Sequence, residues 1–172
     1  MAVTIAKEKW TSKVGEMSLG ADAAVKVGSE STLPFLHFEG EMPNKPVLAL
    51  EVWDLEPVDW PEMLKEPFAG VLADPVAWAK KNIEYGADAI ALRFMSAHPD
   101  YKDATPEDCA ATAKAVADAV NVPLILVGCG VEEKDAQVLE KVAEVMAGKN
   151  CLIGCATEIF NVTFCRVRHS CD

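Results

Sequence analysis

No run of about 18 apolar residues occurs anywhere in the 172-residue chain, so nothing in it is built to cross a bilayer as a helix. The opening MAVTIAKEKWTSK also lacks the apolar stretch of a secretory signal, which makes the cytoplasm the expected location. Basic residues are scarce: 16 Lys and Arg face 27 Asp and Glu, a net charge of −11. Such a field repels phosphate backbones and anionic lipid, and no basic cluster offsets it locally. Nucleic-acid and membrane-surface binding are therefore excluded as leading functions. Only three histidines are present, His37, His98 and His169, with no H-x-x-x-H spacing and no cysteine pair beside them, which argues against a protein-built zinc site. Six cysteines occur without C-x-x-C spacing. Cys109 and Cys129 stand apart while Cys151, Cys155, Cys165 and Cys171 crowd the last stretch, so in a reducing cytosol they read as thiols rather than as a disulfide framework.

The chain does have the make-up of a globular protein, half hydrophobic and one quarter charged, long enough for one domain with its own core. Residues 1–46 read as an extension: Ala23 to Gly28 alternates like a short strand, and Pro34, Gly40, Pro43 and Pro46 break the stretch after it into turns. From Val47 a strand–helix repeat begins. VLALEVW (Val47 to Trp53) is apolar on both faces apart from Glu51, as in a parallel strand covered on both sides. Asp74 and Pro75 then supply an N-cap and a first-turn proline for a helix with Val76, Ala79 and Ile83 on one face, closed by Gly86. AIALRF (Ala89 to Phe94) is the second strand. It leads to a helix capped by Thr105 and Asp108, with Cys109, Ala113, Val116 and Val120 as its apolar stripe. PLILVG (Pro123 to Gly128) leads to a third helix with Val138, Val142, Val145 and Met146 facing inward, and CLIGC (Cys151 to Cys155) opens a fourth unit.

The spacing of these strands leaves room for a right-handed crossover helix between each pair, so the fold class is α/β with parallel strands. Two continuations compete, an open doubly wound sheet and a closed barrel. The barrel typically needs about 250 residues, and the four strands here take up residues 47 to 155, so the chain reads as roughly half of one, the N-terminal half of a TIM (β/α)8 barrel. Three segments result: an extension over 1–46, a partial barrel over 47–158, and a tail over 159–172 that loses the repeat and reads as aberrant, as in a truncated product.

Ligand sites in parallel α/β folds gather at the carboxyl ends of the strands. There the chain offers Asp54, then Ser96, His98 and Asp100, then Gly128, Cys129 and Gly130, and finally Thr157 with Glu158. GCGVEE is no dinucleotide fingerprint, because Glu133 stands at the third glycine position and Glu132 would repel a pyrophosphate. Ser96, His98 and Asp100 are the residue types of a hydrolase triad, but alternate residues of one loop rarely converge. D-x-H-x-x-G, through which a histidine is donated to a corrinoid, is absent, since Phe35 precedes His37 and Gly40 where the aspartate belongs. Alternation also turns Glu51 and Arg93 to the face away from the helices on neighbouring strands. They read as an ion pair there rather than as a ligand contact.

FEGEMPNKPVLALEVWD (Phe38 to Asp54), DPVAWAKKNIEYGADAIALRF (Asp74 to Phe94) and GCGVEEKDAQVLEKVAE (Gly128 to Glu144) closely resemble one family. It is the small subunit of the corrinoid iron–sulfur protein, equivalent to the delta subunit of the acetyl-CoA decarbonylase/synthase complex, and the likeness runs from about Val25 to Glu158. The resemblance implies a TIM-barrel subunit paired with a large subunit. The large subunit carries the iron–sulfur cluster, a cobamide is shared between the two, and this chain holds no cluster of its own. It also implies that the cobalt takes a methyl group from a methyltetrahydropterin-dependent methyltransferase and passes it to acetyl-CoA synthase in the Wood–Ljungdahl pathway. Asp54, Ser96, His98, Gly128, Cys129, Gly130 and Thr157 are then the candidate cofactor contacts, chosen by strand-end position, with no catalytic residue and no protein metal ligand expected. Two rivals stand beside this reading: a pterin-binding methyltransferase of the same barrel type, and a non-functional truncated half-barrel that self-associates through its open edges.

Overall fold

The computed structural model describes residues 4–21 and 25–154, and the chain divides into two compact units, residues 1–18 with 25–47 and residues 19–24 with 48–172. The tail expected over 159–172, together with Cys155, Thr157 and Glu158, lies outside the described residues.

The first unit is built on short extended pieces. Strands β1 (Met17–Leu19) and β2 (Val25–Val27) form a two-stranded sheet. Val14 lengthens the extended backbone by donating to Glu30 O (2.8 Å) and accepting from Ser29 N (3.1 Å). Gly28 sits at φ +88°, and a Cβ there would run into the Gly15 carbonyl, so this crossing requires glycine. A single 3₁₀ turn over Pro34–Leu36 comes next, with the Thr32 hydroxyl donating to Leu36 O at 2.9 Å.

In the second unit, strands β3 (Ala49–Trp53), β4 (Ala89–Arg93), β5 (Leu124–Val127) and β6 (Leu152–Ile153) form one sheet in the order β3-β4-β5-β6, every pairing parallel. The order does not reverse among these strands, so they contain no switch point of the doubly wound kind. Helix α1 (Glu62–Lys65) is one turn inside the long connection after β3. Helices α2 (Pro75–Glu84), α3 (Pro106–Ala119) and α4 (Glu132–Val145) each cross between successive strands and pack side by side, α2 on α3 and α3 on α4.

The local signals act as their chemistry requires. The Asp74 carboxylate accepts from Val76 N at 2.9 Å and caps α2, with Pro75 in its first turn. Thr105 and Asp108 cap α3 reciprocally: Asp108 N donates to Thr105 Oγ1 (3.2 Å) and Thr105 N to Asp108 Oδ2 (3.4 Å).

The core lies between the sheet and the helices. Val52, Ile90, Leu92, Leu124 and Leu126 from the strands meet Trp78 and Ala79 of α2, Cys109, Ala113 and Val116 of α3, and Val138, Leu139 and Val142 of α4. Each of the larger side chains contributes about 1.5–3 kcal/mol by leaving water. Two expectations are corrected. Val145 is 41% exposed, because the inward stripe of α4 runs through Val138, Leu139, Val142 and Ala143 to Met146, and Val145 lies off that stripe. Nor is the sheet covered on both faces: the side away from the helices, with Glu51, Trp53, Ala91, Arg93, Ile125 and Val127, stays exposed or half-buried. On that face Arg93 Nε stands 3.3 Å from Glu51 Oε1, the pairing expected from alternation. Both side chains are more than a third exposed, so the pair contributes under about 1 kcal/mol. Glu51 Oε1 also accepts from the Trp53 indole at 2.5 Å.

Candidate functional site at the carboxyl ends of the strands

Asp54 comes directly after the last residue of β3, and its backbone N–H continues the ladder to Arg93 O at 3.1 Å. That register aims its carboxylate across the top of β4. There Oδ1 accepts from Ser96 N at 2.8 Å and Oδ2 from Ser96 Oγ at 2.5 Å. Cys109, in the first turns of α3, brings its Sγ to 3.9 Å from Ser96 Oγ and 4.0 Å from Asp54 Oδ2. Burial raises the Asp54 pKa above the usual carboxylate range, with the Ser96 hydrogen bonds and the Lys102 charge pulling the other way. The Cys109 thiol is pushed up to about 12, first by burial and then by the Asp54 charge. A thiol so far from ionising is no nucleophile. Chemically the cluster is a tie: it fastens the end of β3 to the loop after β4.

His98 and Asp100 belong to that same loop but turn toward each other. His98 Nδ1 accepts from Asp100 N at 3.1 Å, which places the proton of the neutral ring on Nε2. The ring lies edge-on to Tyr101 with centroids 5.7 Å apart. Ser96 gives its hydroxyl hydrogen to Asp54, and no hydrogen bond among the described residues joins it to His98, so no hydrolase triad is assembled. Farther along, Asp103 at φ +47° pairs with Lys134 at 2.5 Å, which links the loop before α3 to the start of α4.

After β5 the Gly128–Cys129–Gly130 turn has its last two amides engaged. Cys129 N donates to Asp135 Oδ1 at 2.7 Å and Gly130 N to Asp135 Oδ2 at 3.0 Å. A Cβ on Gly128 would collide with this carboxylate, and Gly130 takes φ +100°. The turn therefore has the glycine-rich form of an anion cradle at a helix start, but the protein's own Asp135 fills it. Burial pushes the Cys129 thiol up to about 11, with the Asp135 charge acting in the same direction.

Of the residues expected at this rim, Asp54 and Ser96 touch directly, His98 lies two positions beyond Ser96 on the same loop, and Gly128 to Gly130 come after the next strand. Thr157 falls outside the described residues. Sequence reasoning missed Asp135, whose signal was an acidic side chain in the first turn after G-x-G. It also missed the aromatic series on the β3 side, Trp53 to Trp60 (5.3 Å) and Trp60 to Trp78 (5.7 Å). A separate cavity of about 400 Å³, lined by Val120, Val122, Met146, Lys149 and Cys151 among others, lies toward the amino end of β5, away from this rim.

A sequentially ordered parallel sheet backed by helices on one face, with polar loops tied together at the strand ends, defines an α/β domain with its candidate site at one rim. No helix of the described residues is long and apolar enough to cross a membrane. Residues 13–167 match the family model for the CO dehydrogenase/acetyl-CoA synthase delta subunit, and the chain belongs to that family. It is 35% identical over 158 residues to the acetyl-CoA decarbonylase/synthase complex subunit delta 1 of Methanosarcina thermophila, a match that takes in 87% of this chain and 36% of that protein. The delta subunit of Methanothermobacter thermautotrophicus is 37% identical over 145 residues, 84% of this chain and 36% of the relative. That of Archaeoglobus fulgidus is 33% identical over 160 residues, 88% and 35%. The chain thus spans little more than a third of the length of the curated relatives it matches.

Proposed function

We propose that the chain acts in the cytoplasm as the small subunit of a corrinoid iron–sulfur methyl carrier, its four parallel strands and their crossover helices forming the first half of a TIM-type barrel whose rim helps hold a cobamide. The observation that carries the reading is the family match over most of the chain, falling on a sheet whose strand ends all open on one rim. The sequential strand order and the single helix layer support the barrel, since closing such a sheet requires neighbouring strands to succeed one another in the chain. The open sheet face would then turn to the barrel interior.

The residues present fit the edge of a large amphipathic ring bearing amide groups. His98 carries an N–H on Nε2 that makes no hydrogen bond among the described residues, and a carbonyl of such an amide would accept it. Asp54 and Ser96 spend their side chains on each other, and the Cys129 and Gly130 amides bond Asp135, so these residues hold the rim loops in place. When bound, a cobamide supplies the nucleophilic cobalt that accepts and releases a methyl group, and the protein contributes binding and orientation. A partial grip is what a cofactor shared with a large, cluster-bearing subunit calls for. The methyl donor would be a methyltetrahydropterin-dependent methyltransferase and the acceptor acetyl-CoA synthase, as in the Wood–Ljungdahl pathway.

Co-expression with the large subunit tests this. The purified pair should show a corrinoid absorption band, and His98→Ala should lower the corrinoid retained per complex. A colourless pair would sink the carrier role, and full retention in His98→Ala would sink the assigned contact.

A further inference from the structure

We infer that Arg93 is a cofactor contact on the open face of the sheet, its guanidinium donating to a neutral carbonyl oxygen at the edge of the bound ring beside Trp53. The inference rests on reading the chain as the small subunit of a corrinoid carrier. Trp53, Arg93 and Val127 are the last residues of β3, β4 and β5, and the register sets Arg93 between the other two. All three lie on the face away from the helices. The next residues after β3 and β5 are Asp54 and Gly128, so this row sits directly under the rim. Ion pairing does not use up the Arg93 side chain. Glu51 Oε1 stands 3.3 Å from Arg93 Nε, yet that buried N–H closes no hydrogen bond, and the same oxygen already accepts the Trp53 indole at 2.5 Å. Nor do the Nη groups donate a hydrogen bond to any described residue. A guanidinium carries five donors in one plane, and a buried donor calls for an acceptor, which the described residues do not supply.

Two observations select the acceptor. The first is charge. Glu51 offsets the Arg93 cation at close range and the chain as a whole carries −11, so no positive field is left to draw in a phosphate or a carboxylate. Donors in such a balanced setting suit a neutral carbonyl. The second is the company Arg93 keeps. Trp53 is held twice, by Glu51 on its indole N–H and edge-on by Trp60 with centroids 5.3 Å apart, and Val127 stands on the other side of Arg93. A fixed aromatic wall and an aliphatic side chain around unspent donors match an amphipathic ring with amides on its edge. Further strands closing a barrel over this row would bring mainly branched apolar side chains, which accept no hydrogen bond.

The test loads the heterodimer of the full chain and the large subunit with hydroxocobalamin or with cobinamide, which has no phosphate and no nucleotide, and follows corrinoid release by its absorption band. Arg93→Gln should speed release of either corrinoid at least about fivefold, the loss of one or two hydrogen bonds, while light scattering shows the heterodimer intact and far-UV circular dichroism stays unchanged. Arg93→Lys keeps the charge without the planar fork and should release nearly as fast. Release from Arg93→Gln at the wild-type rate overturns the inference and leaves the carrier reading standing. An effect seen with hydroxocobalamin and absent with cobinamide overturns the neutral carbonyl, because the acceptor is then the phosphate. Full retention by Arg93→Lys overturns it too, since charge alone then suffices. A heterodimer that falls apart in Arg93→Gln assigns the donors to the partner protein and overturns the contact. A wild-type heterodimer that retains neither corrinoid overturns the functional reading and the inference together.

Discussion

Gly128→Ala tests how the rim is held. A methyl group at residue 128 enters the space of the Asp135 carboxylate, which is anchored on the first turns of α4 by a short side chain with little room to swing. The carboxylate must leave, and it gives up two hydrogen bonds, from Cys129 N at 2.7 Å and from Gly130 N at 3.0 Å. Hydrogen bonds to charged groups contribute about 1.5–3 kcal/mol each, and a buried donor left without a partner costs a similar amount. Cys129 is buried, so its amide bears the full cost, whereas Gly130 is exposed and water replaces most of its loss. The substitution should therefore destabilise the chain by about 3 kcal/mol in urea unfolding monitored by tryptophan fluorescence. Asp135→Ala should cost a similar amount by itself. In the Asp135→Ala background the obstacle is gone, and Gly128→Ala should cost less than about 1 kcal/mol, leaving a coupling of about 2 kcal/mol in the double-mutant cycle. Equal costs of Gly128→Ala in the two backgrounds would show that the carboxylate is not what excludes a side chain there.

The Asp54 cluster gives two further outcomes. Because burial raises the folded-state pKa of Asp54, the folded chain holds this proton more tightly than the unfolded one. The resulting stability is fully present below the unfolded carboxylate range and is lost as pH rises through the raised folded value. The stability of the wild type relative to Asp54→Asn should therefore improve as the pH is lowered from neutrality into the acid range; a pH-independent difference in urea melts would contradict the assignment. Cys109 and Cys129, buried and with thiols pushed up to about 12 and about 11, should resist iodoacetamide in the folded chain at pH 8 and react only after unfolding. Peptide mapping that finds Cys109 alkylated under native conditions would refute this.

The elements whose signals are local were legible in the sequence. Asp74–Pro75 and Thr105–Pro106–Asp108 start their helices because the capping partners sit two or three residues away, and that geometry belongs to the chain wherever the helix packs. The period-two alternation of β3 and β4 likewise set Glu51 and Arg93 on one face, and they meet there. The family, too, was readable from the strings around Asp54, Asp74 and Gly128, and the match over residues 13–167 agrees.

Only the tertiary structure decided which candidate residues face outward and which are consumed within the fold. Asp54 and Ser96 lie forty-two positions apart and meet because β3 and β4 are neighbours in register. Asp135 reaches the Gly128–Gly130 turn only once α4 leaves β5 at one angle, and a pattern of residue types contains no such angle. The sequence by itself settled the periodicities and caps, because those depend on contacts a few residues apart. Which polar groups remain free at the rim was settled by the packing of strands and helices distant in the chain, since a hydrogen bond goes to whichever partner the fold brings within about 3 Å.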